Sequence, residues 1–130
     1  MKLAILSHCT IDEISRNGQV VETPGGPAAY CGITAKNMKF DVELQTRVGP
    51  DFKFRSDLEA KGLFLPQNVF SNNPTTRFSL NIFGAERELH LKAKCDQIEF
   101  SNSDADGFIV SPVFDEVSEE TLDQVRENSD

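Results

Sequence analysis

The sequence predicts an α/β domain: an open, mostly parallel sheet flanked by helices, with a second, small β-sheet built from two hairpins. Three observations carry that expectation. Short apolar runs at residues 2–7, 42–48 and 107–111 are of the kind buried on both faces of a parallel sheet. Helical spacing over 27–38, 52–61 and 119–128 is interleaved with them. Asn17-Gly18 and Gly84-Ala85 each separate two extended runs, as hairpin turns do. At 130 residues the chain has the size of one domain and is read as such over 1–130.

In chain order, residues 2–7 form a buried strand and lead into a hairpin of 10–15 and 20–23 around Asn17-Gly18. Both central residues of a type I′ turn need positive φ, which Asn-Gly tolerates best. That register sets Ile14 opposite Val21 and Asp12 opposite Thr23. Asp12 therefore shares the apolar face of the hairpin, a costly place for a carboxylate unless something binds it. Thr23-Pro24-Gly25-Gly26-Pro27 follows, with Pro27 suited to the first turn of a helix over 27–38. Ala28, Cys31, Ala35 and Met38 fall on one face of that helix, and Gly32 allows it to pack closely. Gly25 and Gly26 either make a plain turn or let the backbone approach a ligand at the helix N-terminus.

Residues 42–48 read as a strand, Gly49-Pro50-Asp51 as a turn, and 52–61 as a helix closed by Gly62. A Pro- and Asn-rich connection, 66–74, precedes a second hairpin of 75–83 and 86–91 around Gly84-Ala85, with glycine first as a type II′ turn prefers. Its register places Leu80 opposite Leu89 and Phe78 opposite Leu91, with Ser79, Asn81, Glu88 and His90 on a wet face. Arg77 then lies opposite Lys92, either as a solvated strand-edge pair or reaching toward phosphates. Residues 92–106 are polar and irregular, and the strand at 107–111 ends at Pro112. The last helix, 119–128, has Ser118 as N-cap and Val117 and Leu122 placed as a hydrophobic staple.

Composition excludes several classes. There are 13 Lys plus Arg against 21 Asp plus Glu, a net charge of −8, which disfavours a nucleic-acid binder. Residues 66–130 carry all of the excess, 13 acids against 5 bases, read either as a solvated face or as an interaction surface. No apolar run reaches the roughly 18 residues of a membrane span, and the apolar start at residues 3–6 breaks too early for a signal peptide. A cytoplasmic protein without membrane or nucleic-acid partners is expected. Cys9, Cys31 and Cys95 are odd in number and far apart, so they are expected to be reduced and mostly buried. With His8 and His90 the only histidines, a tightly held transition metal lacks ligands.

The order of these features, a strand, a hairpin carrying Asp12, Gly25-Gly26 opening a helix, then Arg47-Val48-Gly49-Pro50-Asp51 before another helix, resembles the amino-terminal portion of the ribokinase-type, or PfkB-type, carbohydrate kinases. The resemblance covers nearly the whole chain. It implies a ribokinase-like fold in which segments 10–24 and 75–92 form a β lid over the substrate. It further implies that Asp12 accepts hydrogen bonds from substrate hydroxyls, that Thr10 touches substrate, and that Gly25 and Gly26 avoid a Cβ that would intrude on the sugar. Where ribokinases proper continue Gly-Gly-Lys-Gly-Ala-Asn, Pro27 and Tyr30 stand at the lysine and asparagine positions. That continuation looks closer to relatives acting on inositols or nucleosides, with Tyr30 either stacking on the substrate ring or packing under the lid.

The resemblance also implies an ATP and Mg2+ requirement for the full-length kinase, and a homodimer through the lid is an option it allows. The family's anion hole and catalytic aspartate, in a Gly-Ala-Gly-Asp motif, have no counterpart in these residues, nor does a Walker A loop. The chain is therefore expected to be the front part of a kinase, with no catalytic, cofactor or metal residues of its own, inactive alone and marginally stable or self-associating. The alternative is a non-catalytic polyol-binding or lid-mediated assembly module. Ser111 and Asp115, at the end of the last strand, are assigned no role.

Overall fold

In the computed structural model, which describes residues 1–129, the elements run β1 (Lys2–Leu6), β2 (Thr10–Arg16), β3 (Gln19–Gly25), α1 (Gly26–Asn37), β4 (Asp41–Gln45), α2 (Arg55–Ala60), β5 (Arg77–Phe83), β6 (Glu86–Ala93), β7 (Gly107–Val110) and α3 (Glu119–Ser129), with one 3-10 turn at Gln67–Val69. They divide into a parallel sheet of order β4-β1-β7 and a four-stranded sheet of order β3-β2-β5-β6. β1 is central to the parallel sheet, and Ala4, Ile5 and Leu6 are wholly buried, as a strand covered on both faces requires. Among the described residues no helix is long and apolar enough to cross a membrane.

Both hairpins have the expected registers. Asn17 and Gly18 have φ of 52° and 76°, the double positive of a type I′ turn, and Ile14 faces Val21. Gly84 has φ of 61° while Ala85 is not left-handed, which fits type II′, and Leu80 faces Leu89. The hairpins join through β2 and β5, which pair in parallel with Asp12 beside Phe78 and Ile14 beside Leu80. Asp12, Ile14, Phe78, Leu80 and Leu89 thus share one face of a continuous sheet.

Several details differ from expectation. A β-bulge leaves Lys92 unpaired on β6, so Arg77 pairs with Ala93 rather than Lys92, while ordinary alternation along β5 sets Arg77 on the face opposite Phe78 and Asp12. There its guanidinium meets Glu13 and Glu22, each at 2.8 Å, and Asp51 at 3.6 Å, so its neighbours are carboxylates and not Lys92. The buried residues of α1 are Ala28, Ala29, Gly32 and Ala35, and Met38 is exposed. Close packing at Gly32, where a Cβ would come within 3.0 Å of both Leu63 methyls, rotates the helix to this face. β4 stops at Gln45, with Val48 left to bridge Phe70, and α2 starts late because Phe52 and Phe54 enter the core before it. Gly62, with φ of 82°, ends α2 as expected, and the Ser118 hydroxyl accepts from Thr121 N–H at the head of α3. Leu122 stays exposed.

Two glycines with positive φ make a controlled comparison. Gly26 has φ of 81° and a Cβ there would lie 2.3 Å from the His8 carbonyl, whereas Gly18 has φ of 76° and open space. We expect Gly18→Ala to cost about 1–2 kcal/mol, the left-handed backbone alone. Gly26→Ala should cost clearly more in chemical denaturation, and equal losses in the two variants would show that α1 gives way without strain.

Candidate functional site

A cavity of about 370 Å3 opens between the inner face of the four-stranded sheet and the head of α1. Asp12 stands on its floor, placed there by the two-residue alternation of β2. The carboxylate accepts one hydrogen bond, 2.8 Å from the Thr10 hydroxyl. Burial holds its pKa above the usual aspartate range, against the lowering effect of Thr10. Gly26 lines the cavity at the start of α1, whose first turn has no side-chain cap, so backbone N–H donors face the same region as the acceptor carboxylate. Ile14, Phe78, Leu80, Leu89, Val113 and the Tyr30 ring complete the wall.

The polar support of this cavity is the turn after β1. His8 is wholly buried, its Nε2 2.7 Å from the Asp96 carbonyl and its Nδ1 2.8 Å from the Thr76 hydroxyl. A carbonyl only accepts, so Nε2 carries the proton; Nδ1 then accepts from Thr76, whose oxygen in turn accepts from Cys95 N–H at 2.9 Å. Burial, and secondarily the Arg47 charge, keep His8 neutral despite Glu116 and Asp96 nearby. The equally buried Glu116 carboxylate accepts from the backbone N–H groups of His8, Val113 and Phe114, which fixes Val113 in the cavity wall.

Elsewhere at the ends of the parallel strands, Arg47 borders a cavity that also carries Asp96, Glu99 and Glu120. That negative lining does not fit a polyphosphate. Among the described residues no cluster of three or more His, Cys, Asp or Glu is arranged to hold a metal ion. Burial pushes the Cys9 thiol up to about 12, which disfavours a thiolate there; all three cysteines are free, with Cys31 half-buried.

No family model matches the sequence, and a comparison with the curated proteins finds no match. Solved structures do match. A pyrophosphate-dependent myo-inositol-1 kinase converted into a myo-inositol-3 kinase superposes with a TM-score of 0.78 at 19% identity, over 96% of this chain and 44% of that one. The fold is ribokinase-like. The ribokinase of Cryptococcus neoformans, solved with ADP, matches at 0.68 and 18% identity over 84% of this chain and 40% of that one. A sugar kinase of Pyrococcus horikoshii, solved with ATP, matches at 0.60 and 19% over 69% and 33%. The chain spans less than half the length of each of these relatives.

Within the ribokinase-like frame, Thr10, Asp12, Gly26 and Tyr30 come together around one cavity. Gly25 lies behind it: a Cβ there would sit 2.0 Å from Asp12 Oδ2, so this glycine makes room for the carboxylate. Ser111 and Asp115 stand apart, Ser111 donating its N–H to Leu6 and Asp115 paired with Lys94 at 2.7 Å. Sequence reasoning missed His8, Glu116 and Val113. Glu116 lies 108 positions from His8, and the one available hint was a glutamate shortly after the Pro112 strand stop.

Two pH experiments follow. Because the fold disfavours the His8 imidazolium, stability should fall as the pH drops below the unfolded value of about 6.5; nitrogen NMR should show the Nε2–H tautomer persisting there, and titration at about 6.5 or above would contradict the assignment. Asp12 has the opposite sign: its raised pKa means the folded state carries an unrelieved cost once ionised. Asp12→Asn should therefore raise the melting temperature at neutral pH, and the gain should vanish below the aspartate range; a lowered melting temperature at neutral pH would refute this.

Proposed function

We propose that this chain is the amino-terminal, substrate-side portion of a ribokinase-type (PfkB) kinase whose whole form transfers the γ-phosphoryl group of ATP to a hydroxyl of a sugar, cyclitol or nucleoside. The observation that carries the reading is Asp12: an ionisable carboxylate in an apolar wall with a single donor, 2.8 Å away, facing a cavity within a ribokinase-like fold. A carboxylate offers about four acceptor sites, so substrate hydroxyls supply the donors it lacks. The uncapped first turn of α1 at Gly26 donates to hydroxyl oxygens, and Thr10 orients the carboxylate. Gly25 lets the carboxylate sit against β3, and Tyr30 borders the substrate.

The segments 10–24 and 75–92 act as the lid, whose apolar inner face keeps water from the reacting hydroxyl and limits wasteful hydrolysis. Mg2+-bound ATP supplies the phosphoryl group and charge neutralisation. The residues that hold it, and the base that takes the hydroxyl proton, belong to the remainder of the kinase. The open outer edge of β7, and the apolar groove of about 310 Å3 between α1 and Leu3, Phe40 and Ile109, support a continuation of the sheet on that side.

The natural product in its source cells should have about twice the mass of this 14.5 kDa chain. It should phosphorylate a polyol or nucleoside with ATP, and Asp12→Asn should lower kcat/KM by about 10- to 100-fold. A mature product of 14.5 kDa, or phosphorylation indifferent to Asp12→Asn, would sink the proposal.

A further inference from the structure

We infer that the alcohol this site takes is a nucleoside, a pentose diol joined to a flat base, in preference to a cyclitol or a free sugar; this rests on the kinase reading above. The cavity is divided by polarity. Its hydrogen-bonding groups sit at one end, the Asp12 carboxylate beside the start of α1 at Gly26, with the Thr10 hydroxyl already donated to Asp12. The remaining wall is Ile14, Phe78, Leu80, Leu89 and Val113, with the Tyr30 ring. Register sets the division: Ile14, Leu80 and Leu89 form one row across the sheet, two residues along from the row that holds Asp12 and Phe78.

Leu89 and Tyr30 are 64% and 59% exposed, so a large part of that apolar wall stays in water until something apolar covers it. A cyclitol carries a hydroxyl on every ring carbon. With two of them on Asp12, the others turn toward aliphatic side chains, and each hydroxyl buried without a partner costs affinity. A nucleoside keeps its vicinal diol at one end and a planar base at the other. The diol matches the acceptor-rich floor, and the base lies along Leu80 and Leu89 with Tyr30 available to stack. The structurally similar myo-inositol kinase shares 19% identity with this chain.

The test is calorimetric titration of the full-length protein with adenosine, inosine, ribose and myo-inositol, repeated on Asp12→Asn and Leu89→Ser. Nucleosides should bind at least about tenfold tighter than ribose or myo-inositol. Asp12→Asn should weaken that binding by about 10- to 100-fold, whereas Leu89→Ser should weaken the nucleosides several-fold and leave ribose unchanged. Because Leu89 is exposed, Leu89→Ser should not alter the melting temperature, and the melt is recorded to establish that. Asp12-dependent binding in which myo-inositol or ribose equals the nucleosides, or nucleoside binding indifferent to Leu89→Ser, overturns the nucleoside inference and leaves the kinase reading standing. If none of the four compounds binds in an Asp12-dependent way, both fall.

Discussion

Everything that shapes the candidate site passes through His8. It is the point where the chain leaves the parallel sheet for the four-stranded one, and all its hydrogen-bonding groups and its carbonyl are committed. The two ring nitrogens tie it to Thr76, at the entry to β5, and to Asp96 in the connection after β6. Its N–H goes to the Glu116 carboxylate, and its carbonyl sits so close to Gly26 that no Cβ fits there. Four segments far apart in sequence are thereby registered against one residue. A buried polar group left unpaired costs about 1–3 kcal/mol, so shifting any one of these segments has a penalty at His8 as well as its own. Asp12, four residues on, inherits its position from this junction.

Asp96 extends the same junction sideways. Its carbonyl holds His8, while its carboxylate accepts from the Ser71 hydroxyl and from Asn73 at 2.7 Å, and the first of these keeps its pKa below the usual range. On the outer face of the four-stranded sheet, Arg77 plays a comparable part. It binds Glu13 on β2 and Glu22 on β3, and lies near Asp51, which also accepts from the Thr75 N–H and hydroxyl. These groups are partly solvated, which weakens each pair. The consequence is geometric: the alternation of β5 that sends Arg77 outward keeps a cation away from Asp12, whose carboxylate therefore remains without a charge partner inside the cavity.

What the sequence revealed and what it hid divide by distance along the chain. Asn17-Gly18 and Gly84-Ala85 state their turn types locally, and two-residue alternation then fixes which residues share a face, so Asp12 with Ile14 in one hairpin and Phe78, Leu80 and Leu89 in the other were legible, whereas the parallel β2–β5 pairing that merges the two faces was not. Nor was the bulge at Lys92, because one extra residue on β6 leaves no mark on an alternating pattern and shifts the pairing beyond it. The rotation of α1 depends on Leu63 filling the space above Gly32, a contact outside the helix that no helical wheel contains. His8 invited attention only as a possible metal ligand. Its actual role needs Thr76, Asp96 and Glu116, which are brought in by the parallel β2–β5 pairing and by the strand β7.

The glycine pair connects these constraints to chemistry. Glycine at 25 and 26 is demanded by the protein before any ligand arrives, at 25 by the Asp12 carboxylate and at 26 by the His8 carbonyl and a positive φ. The pair therefore preorganises the site: β3 presses against Asp12 from behind, and α1 begins where its first-turn donors and that carboxylate face one space. The resulting cavity is incomplete on both counts that matter energetically. Its carboxylate is partly desolvated with one donor, and Leu89 and Tyr30 hold apolar surface in water. A fold selected only for stability would replace Asp12 and cover Leu89. Retaining both makes sense if a ligand supplies hydroxyl donors to the first and apolar contact to the second, so that binding recovers free energy the folded chain alone gives up.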